Sequence, residues 1–471
     1  MKKLIVFIAA LSLAVTLSAQ IKEEGAQYNQ YGVKVETQEL ITEAQDGILV
    51  HRSKNNNFKL WLDMRVQADG AVFWGAPEYA DKIGNGVSIR RARFAVKSQI
   101  TPSWYGEVDM DMANGVFELK DAIIRYTGVK GLELQAGNFK EYFSVQRNNS
   151  SRYLQFMERP MITQALAPSR HLGINAKYSK DWFWASTGVF FQTIDNLETR
   201  TFVEDSNKDY GVDEGISSTT KIVLMPGFDQ KDWGLHIAGA FSYRQPKTDD
   251  EKTSLSGTPA VRFSTRNSNS INRKKYIDTD EILNVKHNLL YTGEFAGYWK
   301  GLRWEGAYLA NDVQRINASD PNMHLWGWYA QAGWLLFGGR QRYDSAGAKF
   351  TRPSRGQKWG DLELCARYEY IDFNNKHADI KTSFGAAQAF TLGLNYYVND
   401  HFKVMVNYQF NDNDRYANGK GNPAGKFFVG TEPTADPAVF KPTKDFTKVS
   451  EAQGKAGVNY SMLSLRLEID F

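Results

Sequence analysis

The chain has 471 residues, a formal net charge of +4 and a mean hydropathy of −0.48. The low hydropathy excludes a bundle of membrane-spanning helices, and the near balance of charges excludes a strongly basic nucleic-acid binder. The single Cys excludes intramolecular disulfides and zinc sites built from several cysteines.

The N-terminus predicts export from the cytoplasm. Lys2 and Lys3 are followed by an apolar run over residues 4–17 and by small residues around Ala19. This is the pattern of a secretory signal peptide, and it predicts cleavage after Ala19. A spanning helix is the alternative, but the run is shorter than the ~20 residues that such a helix needs. We therefore expect a signal peptide over residues 1–19.

Apolar and polar residues alternate over long stretches from residue 58 to the C-terminus. In the last of these, Leu463, Leu465, Leu467, Ile469 and Phe471 occupy every second position, with polar residues between them. A period of two indicates a strand with one apolar face. About sixteen such segments follow one another, each long enough for the ~9–11 residues of a tilted membrane strand.

The connections alternate in length, with short turns at one end of the strands and long polar loops at the other. This is typical of outer-membrane barrels, whose short turns lie in the periplasm. Residues 338–360 are too long for the short-turn side on which they fall. Trp182, Trp184, Trp299 and Trp334 lie near strand ends, where an aromatic girdle is expected.

These features predict an all-β fold, a transmembrane antiparallel β-barrel of about 16 strands over residues 58–471. A soluble β-sandwich or propeller is less consistent with the pattern, since the chain shows no repeat of 40–50 residues. Residues 20–57 are expected to form a periplasmic N-terminal segment, with a short extra strand over 47–51.

Charged residues fall on the polar side of two consecutive strands joined by a tight turn at 101–103. The predicted register places Lys97 opposite Glu107 and Arg93 opposite Asp111. Two interpretations remain open. Arg91 and Arg93 can attract anions along an aqueous path, or they can form half of an ion-pair ladder that stiffens the wall.

Three motifs in the segment 86–190 are informative together: Ile89-Arg90-Arg91-Ala92-Arg93-Phe94, Gly137-Asn138-Phe139-Lys140 and Phe156-Met157-Glu158-Arg159. With these motifs, the segment resembles the phosphate-selective porin O and P family of bacterial outer membranes. The resemblance implies a sixteen-stranded barrel that is usually a homotrimer. It also implies that the third long loop, here residues 144–170, folds into the lumen and forms the constriction.

The charges of this loop favour anions. It carries four arginines and one acidic residue, Glu158, and guanidinium groups make bidentate, charge-assisted hydrogen bonds to phosphate oxygens. Anchoring of the loop to wall carboxylates is the alternative role for these arginines. Lys140 has outward parity unless its strand end is bulged. The candidate anion-binding residues are Arg91, Arg93, Arg152, Arg159 and Arg170, with Arg125 and Lys140 in second rank.

The sequence therefore predicts a passive diffusion porin that prefers anions and selects phosphate or polyphosphate. The inward Glu107, Asp109 and Asp111 weaken the argument for phosphate, so a general, weakly selective porin and a plugged structural or adhesive barrel remain alternatives. No metal site is expected, because the seven His show no metal-ligand spacing. No catalytic residues are expected either, because no convincing trio with a Ser or Asp next to a His is found, and no cofactor is expected. The expected partners are the outer-membrane bilayer, small anions such as phosphate and two further copies of the chain, with no nucleic acid.

Overall fold

The computed structural model describes residues 29–31, 35, 37–76, 82–194, 212–213, 215–249, 259–272, 274–279, 281–374, 383–413, 428–429, 442–443 and 458–471. The predicted signal peptide lies outside these residues. Within the described residues, no helix has the length and apolar character needed to cross a membrane.

Sixteen long antiparallel strands form a closed barrel, as the alternation predicted. Each pairs with its neighbour in the chain, and the last pairs with the first. The strands are β1 (Lys59–Trp74), β2 (Gly86–Thr101), β3 (Trp104–Asp111), β4 (Glu118–Val129), β5 (Leu132–Lys140), β6 (Arg170–Lys180), β7 (Phe183–Phe190), β8 (Ser217–Leu224), β9 (Trp233–Arg244), β10 (Val285–Trp299), β11 (Leu302–Arg315), β12 (Met323–Leu335), β13 (Asp361–Asn374), β14 (Ser383–Tyr397), β15 (Phe402–Asn413) and β16 (Tyr460–Asp470).

Shorter elements precede β1 and lie in the connections between the barrel strands. A hairpin of Leu40–Gln45 and Ile48–Ser53 precedes β1, which confirms the extra strand expected near 47–51. The connection from β5 to β6 contains two short helices, α1 (Val145–Asn148) and α2 (Met161–Leu166), and a 3-10 turn at Ser151–Tyr153. Another 3-10 turn is Ala113–Gly115. Two-residue strands pair in the long connections: Val212–Asp213 with Thr248–Asp249, Ser264–Thr265 with Ile277–Asp278, Tyr343–Asp344 with Lys349–Phe350, and Phe428–Val429 with Pro442–Thr443.

The two faces of the wall differ as the period of two requires. In β16, Leu463 and Leu465 are more than 40% exposed, whereas Ser464 and Arg466 are buried. Apolar side chains thus cover the outside, and polar side chains point to the interior. Trp182, Trp299 and Trp334 are exposed, as expected for an aromatic girdle. The expectation for Trp184 is wrong: this side chain is fully buried, and its indole N–H donates to the carbonyl oxygen of Ala346.

The register of the β2–β3 hairpin confirms the prediction for its charged residues. Arg93 pairs with Asp111 and Lys97 pairs with Glu107. One irregularity was not predicted: the β1–β2 register shifts between Gln67 and Ala68, so that Arg90 is an extra residue on β2. Such a bulge turns a side chain to the face from which regular alternation would exclude it.

Gly137 gives β5 a conformation that other residues rarely adopt. Its φ is +124°, and a Cβ atom there would lie 2.0 Å from the carbonyl oxygen of Ala122 on β4. The strand therefore departs from regular geometry three residues before Lys140. The pairing of β5 with β6 nevertheless continues to Lys140↔Arg170 without a register shift, so this ladder contains no bulge of the kind considered for Lys140.

The substitution Gly137→Ala should destabilise the barrel. It forces a Cβ into the β4 backbone at a positive φ, and strain of this kind costs about 1–3 kcal/mol. The free energy of unfolding from urea titration in detergent should fall accordingly. The matched control is Gly239→Ala, where the nearest atom to the new Cβ lies at 3.9 Å. Equal stability of the two variants would contradict the prediction.

Candidate permeation pathway

The connection from β5 to β6, which contains the predicted third loop, is bonded to strands on the far side of the barrel. The Gln146 amide donates to Glu305 on β11 at 2.5 Å, and the Gln155 amide donates to Glu363 on β13 at 2.8 Å. The backbone N–H of Met161 donates to Glu369, also on β13, at 2.5 Å. These acceptors belong to the buried, polar face of the wall.

Glu158 fastens the same connection to the strands where the barrel closes. Its carboxylate accepts two bonds from Arg90 of β2, at 2.5 and 3.1 Å, and one from Arg466 of β16, at 3.1 Å. Burial opposes ionisation of Glu158, but Arg90, Arg91 and Arg466 outweigh it and hold the pKa of this carboxyl group well below its ordinary value. The bulge in β2 supplies Arg90, which is why regular alternation missed it as a partner.

Apolar side chains fill the region between α2 and the strands β10–β14. Met161 and Ile162 of α2 are fully buried and belong to one cluster with Leu309 and Ile371 of the wall and Ile277 of the long connection from β9 to β10. A dry, close-packed cluster of this kind leaves no room for water. Any aqueous passage must therefore run along the other part of the wall.

The connection 336–360 is longer than a simple turn because it makes contacts of its own with the wall and with the β5–β6 connection. The Phe350 side chain is buried, and the guanidinium carbon of Arg303 lies 3.8 Å from the centre of its ring. The Phe350 N–H donates to the side-chain oxygen of Asn149 in the β5–β6 connection. The Tyr343 hydroxyl bonds to His236 on β9 at 2.5 Å. The unusual length of this connection therefore indicated additional structure, although nothing in the sequence predicted the contacts of Phe350 and Tyr343.

A cavity of about 300 Å³ lies along the wall formed by β1–β5. Among the described residues, eight basic and four acidic side chains line it. The basic ones are Arg65, Arg93, Lys97, Arg125, Lys140, Arg152, Arg170 and Lys349, and the acidic ones are Asp63, Glu107, Asp109 and Asp121. The cavity is therefore polar and carries an excess of positive charge.

Five of the seven predicted anion-binding residues line this cavity: Arg93, Arg125, Lys140, Arg152 and Arg170. The other two do not. Arg91 is buried and donates to Gln67 at 2.6 Å. Arg159 donates to the carbonyl oxygens of Gln146 and Asn149, and burial, together with the nearby Arg147, lowers its pKa to about 9. Arg159 therefore bonds the backbone of its own loop and, among the described residues, is not paired with a wall carboxylate.

Most cations of the cavity are paired with carboxylates, as in the ladder interpretation. The pairs are Arg93 with Asp109 and Asp111, Lys97 with Asp63 and Glu107, Arg125 with Glu133, Arg152 with Asp63 and Asp470, and Arg170 with Asp121. A cation whose charge is matched by an adjacent carboxylate contributes little to the field that a solute meets. The ion-pair ladder therefore accounts for most of the cations that line this cavity.

Arg65 and Lys140 differ from the others. Among the described residues, no carboxylate lies within ion-pair distance of either side chain. Arg65 donates weakly to Ser150 at 3.4 Å, and its Nε–H is buried with no hydrogen-bond partner within the described part of the chain. Lys140 donates to the carbonyl oxygen of Arg147 at 3.1 Å, which leaves two of its three N–H donors.

Arg65 was missed as a candidate although its inward parity could be read from the sequence. Alternation gives the direction of a side chain but not the identity of its neighbours across the barrel. The unpaired state of Arg65 depends on where Asp63 and Asp109 find their partners, namely Arg152 and Arg93. That information exists only in the folded barrel.

Comparison with known proteins agrees with this architecture. The family model for phosphate-selective porin O and P matches residues 61–428, most of the chain. The chain belongs to this family. Porin O of Pseudomonas aeruginosa is 23% identical over 449 residues, which cover 89% of this chain and 97% of that protein. An uncharacterized protein of Caulobacter vibrioides is 25% identical over 358 residues, or 73% of this chain and 66% of that protein.

Solved porin structures resemble the chain at low sequence identity. An anion-selective porin from Comamonas acidovorans aligns with a TM-score of 0.49 at 11% identity, covering 88% of this chain and all of that one. OmpT of Vibrio cholerae aligns with a TM-score of 0.48 at 12% identity, covering 88% and 98%. Membership of the porin O and P family and the closed barrel make the chain an outer-membrane porin of a bacterial cell.

The substitution Glu158→Gln should loosen the β5–β6 connection of this porin. It removes the charge that compensates the buried Arg91 and Arg466 and the half-buried Arg90, and breaking a buried ion pair typically costs about 3–5 kcal/mol. Urea titration should show lower stability, and trypsin should cut within 141–169 faster. Glu118→Gln is the control, since Glu118 is exposed and, among the described residues, pairs only with Lys120. Wild-type stability and cleavage would overturn the assignment of Glu158 as a clamp.

Proposed function

We propose that this porin is a passive diffusion channel that prefers anions. The connection 141–169 lies in the lumen and narrows it, which is supported by its bonds to the inner-face carboxylates Glu305, Glu363 and Glu369. The solute passes between this connection and the wall of β1–β5. The apolar cluster around α2 closes the remaining part of the lumen.

The uncompensated charge of Arg65 and Lys140 carries the proposal. Both line the same cavity, with Arg93 near each of them. In a narrow aqueous path between low-dielectric walls, such charges attract anions and replace part of their hydration shell. We therefore propose Arg65 and Lys140 as the principal anion contacts. The secondary contacts are Arg93, Arg125, Arg152 and Arg170, because each of these cations is already paired with a carboxylate.

Phosphate suits these two cations. The guanidinium of Arg65 and the two remaining donors of Lys140 can each give charge-assisted hydrogen bonds to phosphate oxygens in the cavity that both residues line. The carboxylates of Glu107, Asp109 and Asp121 lie within 4.8 Å of one another in the same cavity, and they oppose anions that carry more than one charge. The balance between these cations and these carboxylates decides between a phosphate channel and a general, weakly selective porin.

A homotrimer is consistent with the unequal height of the wall. Strands β3, β7 and β8 have 8 residues each, whereas β10 has 15. At ~3.3 Å per residue and a tilt of ~40°, eight residues span about 20 Å, less than the ~25 Å apolar band of a lone barrel. We propose that two further copies cover this low wall.

Neutralising Lys140 should reduce anion preference. In planar bilayers with a KCl gradient, the chloride-to-potassium permeability ratio of Lys140→Gln should fall about two- to threefold, because one of two uncompensated charges is lost. The control is Lys130→Gln, the same charge change on an exposed turn. If both variants keep the wild-type reversal potential, Lys140 is not an anion contact.

Phosphate should block chloride current in competition with chloride. The pair Arg65 and Lys140 offers phosphate more hydrogen bonds than it offers chloride, so phosphate resides longer in the path. Single-channel current in KCl should fall as phosphate is added at millimolar levels, and Arg65→Gln should weaken the block. Conductance that does not respond to phosphate would identify a general porin.

A further inference from the structure

The N-terminal hairpin reaches the mouth of the barrel that carries the short turns. Its two strands pair over six residues each and are joined by Asp46 and Gly47, with φ values of 49° and 72°. Positive φ at both central residues is the geometry of a type I′ hairpin turn, for which Asp-Gly is a preferred sequence. The tip is therefore a defined structure.

The hairpin is held to the barrel at one end and touches it again at the tip. Only three residue pairs, from Val50↔Trp61 to Arg52↔Lys59, join it to β1. At the tip, the Asp46 carboxylate accepts from Arg352 at 2.9 Å and lies 3.8 Å from His401 Nε2. A Cβ on Gly47 would lie 2.6 Å from the His401 ring, so a glycine is needed for this close packing.

The tip lines a second cavity, of about 400 Å³, next to the first one. Asp63, Ser150, Arg152 and Lys349 line both cavities, so the two are adjacent. In the second cavity, the described basic residues Arg152, Arg342, Lys349 and Arg352 are matched in number by Asp46, Asp63, Asp344 and Asp470. The positive excess of the first cavity therefore ends where the hairpin tip enters the lining.

We propose that the hairpin is part of the channel, and that Asp46 is a specificity-determining residue at its short-turn mouth. The inference rests on the proposed anion path and adds to it. The Asp46 carboxylate shares Arg352 with Asp470, which lies 3.5 Å from the same guanidinium, and competes with each passing anion for it.

The direct test is Asp46→Asn in the full-length porin, recorded in planar bilayers. Loss of the Asp46 charge leaves Asp470, 3.5 Å from the same guanidinium, as the one described carboxylate paired with Arg352, so the chloride-to-potassium permeability ratio should rise about twofold in 0.1 M KCl. The rise should shrink in 1 M KCl, since screening is then much stronger. The matched control is Glu43→Gln. Glu43 lies on the same hairpin and pairs with Arg52 at 2.8 Å, but it lines neither cavity.

A second variant separates charge from position. Gly47→Val keeps Asp46 but forces the tip away from His401, so conductance and anion preference should both increase. A channel that prefers anions but is unchanged in Asp46→Asn and Gly47→Val overturns the role of the hairpin and leaves the proposed function intact. An equal shift in Asp46→Asn and Glu43→Gln also overturns it, because the effect is then not local to the mouth. A wild-type protein that does not conduct, or shows no anion preference, fails the proposed function itself.

Discussion

The structure depends on one constraint: backbone N–H and C=O groups within a bilayer must find partners in the protein itself. A sheet meets this constraint only if its first and last strands pair, and β16 pairs with β1 over ten residues. Closure fixes the direction of every side chain. With apolar residues outside, the intervening residues must line an interior, and the chemistry of the channel is set by what stands at those positions.

That interior is highly charged but mostly neutralised. Arg93, Lys97 and Arg170 each face a carboxylate, so they stiffen the wall more than they steer ions. The proposed selectivity rests on a much smaller quantity, the charge left over after pairing. Arg65 and Lys140 supply it in the first cavity, and the hairpin removes it in the second. A count of arginines in the sequence would overestimate the positive field severalfold.

The strands and the register of the β2–β3 hairpin could be predicted from the sequence because a period of two is a local pattern. Closure of the barrel then gives each strand one outer and one inner face. The pairing of Lys97 with Glu107 needed only a tight turn between two strands. Residues that depend on distant contacts could not be found in this way. Arg90 faces Glu158 because of a bulge, and Arg159 bonds the backbone of its own loop. Phe350 packs against Arg303 of β11, although its connection showed only unusual length in the sequence. Arg65 became a candidate only once its neighbours were seen to be occupied.

Glu158 also has a consequence for assembly. The two arginines that hold it most closely come from β2 and β16, and Arg466 of β16 is bonded in turn to Asp69 of β1. These groups meet only where the ring of strands is sealed. A nascent barrel whose ends have not yet joined cannot offer the full set of cations to this carboxylate. The bonds that hold Glu158 therefore require a closed barrel.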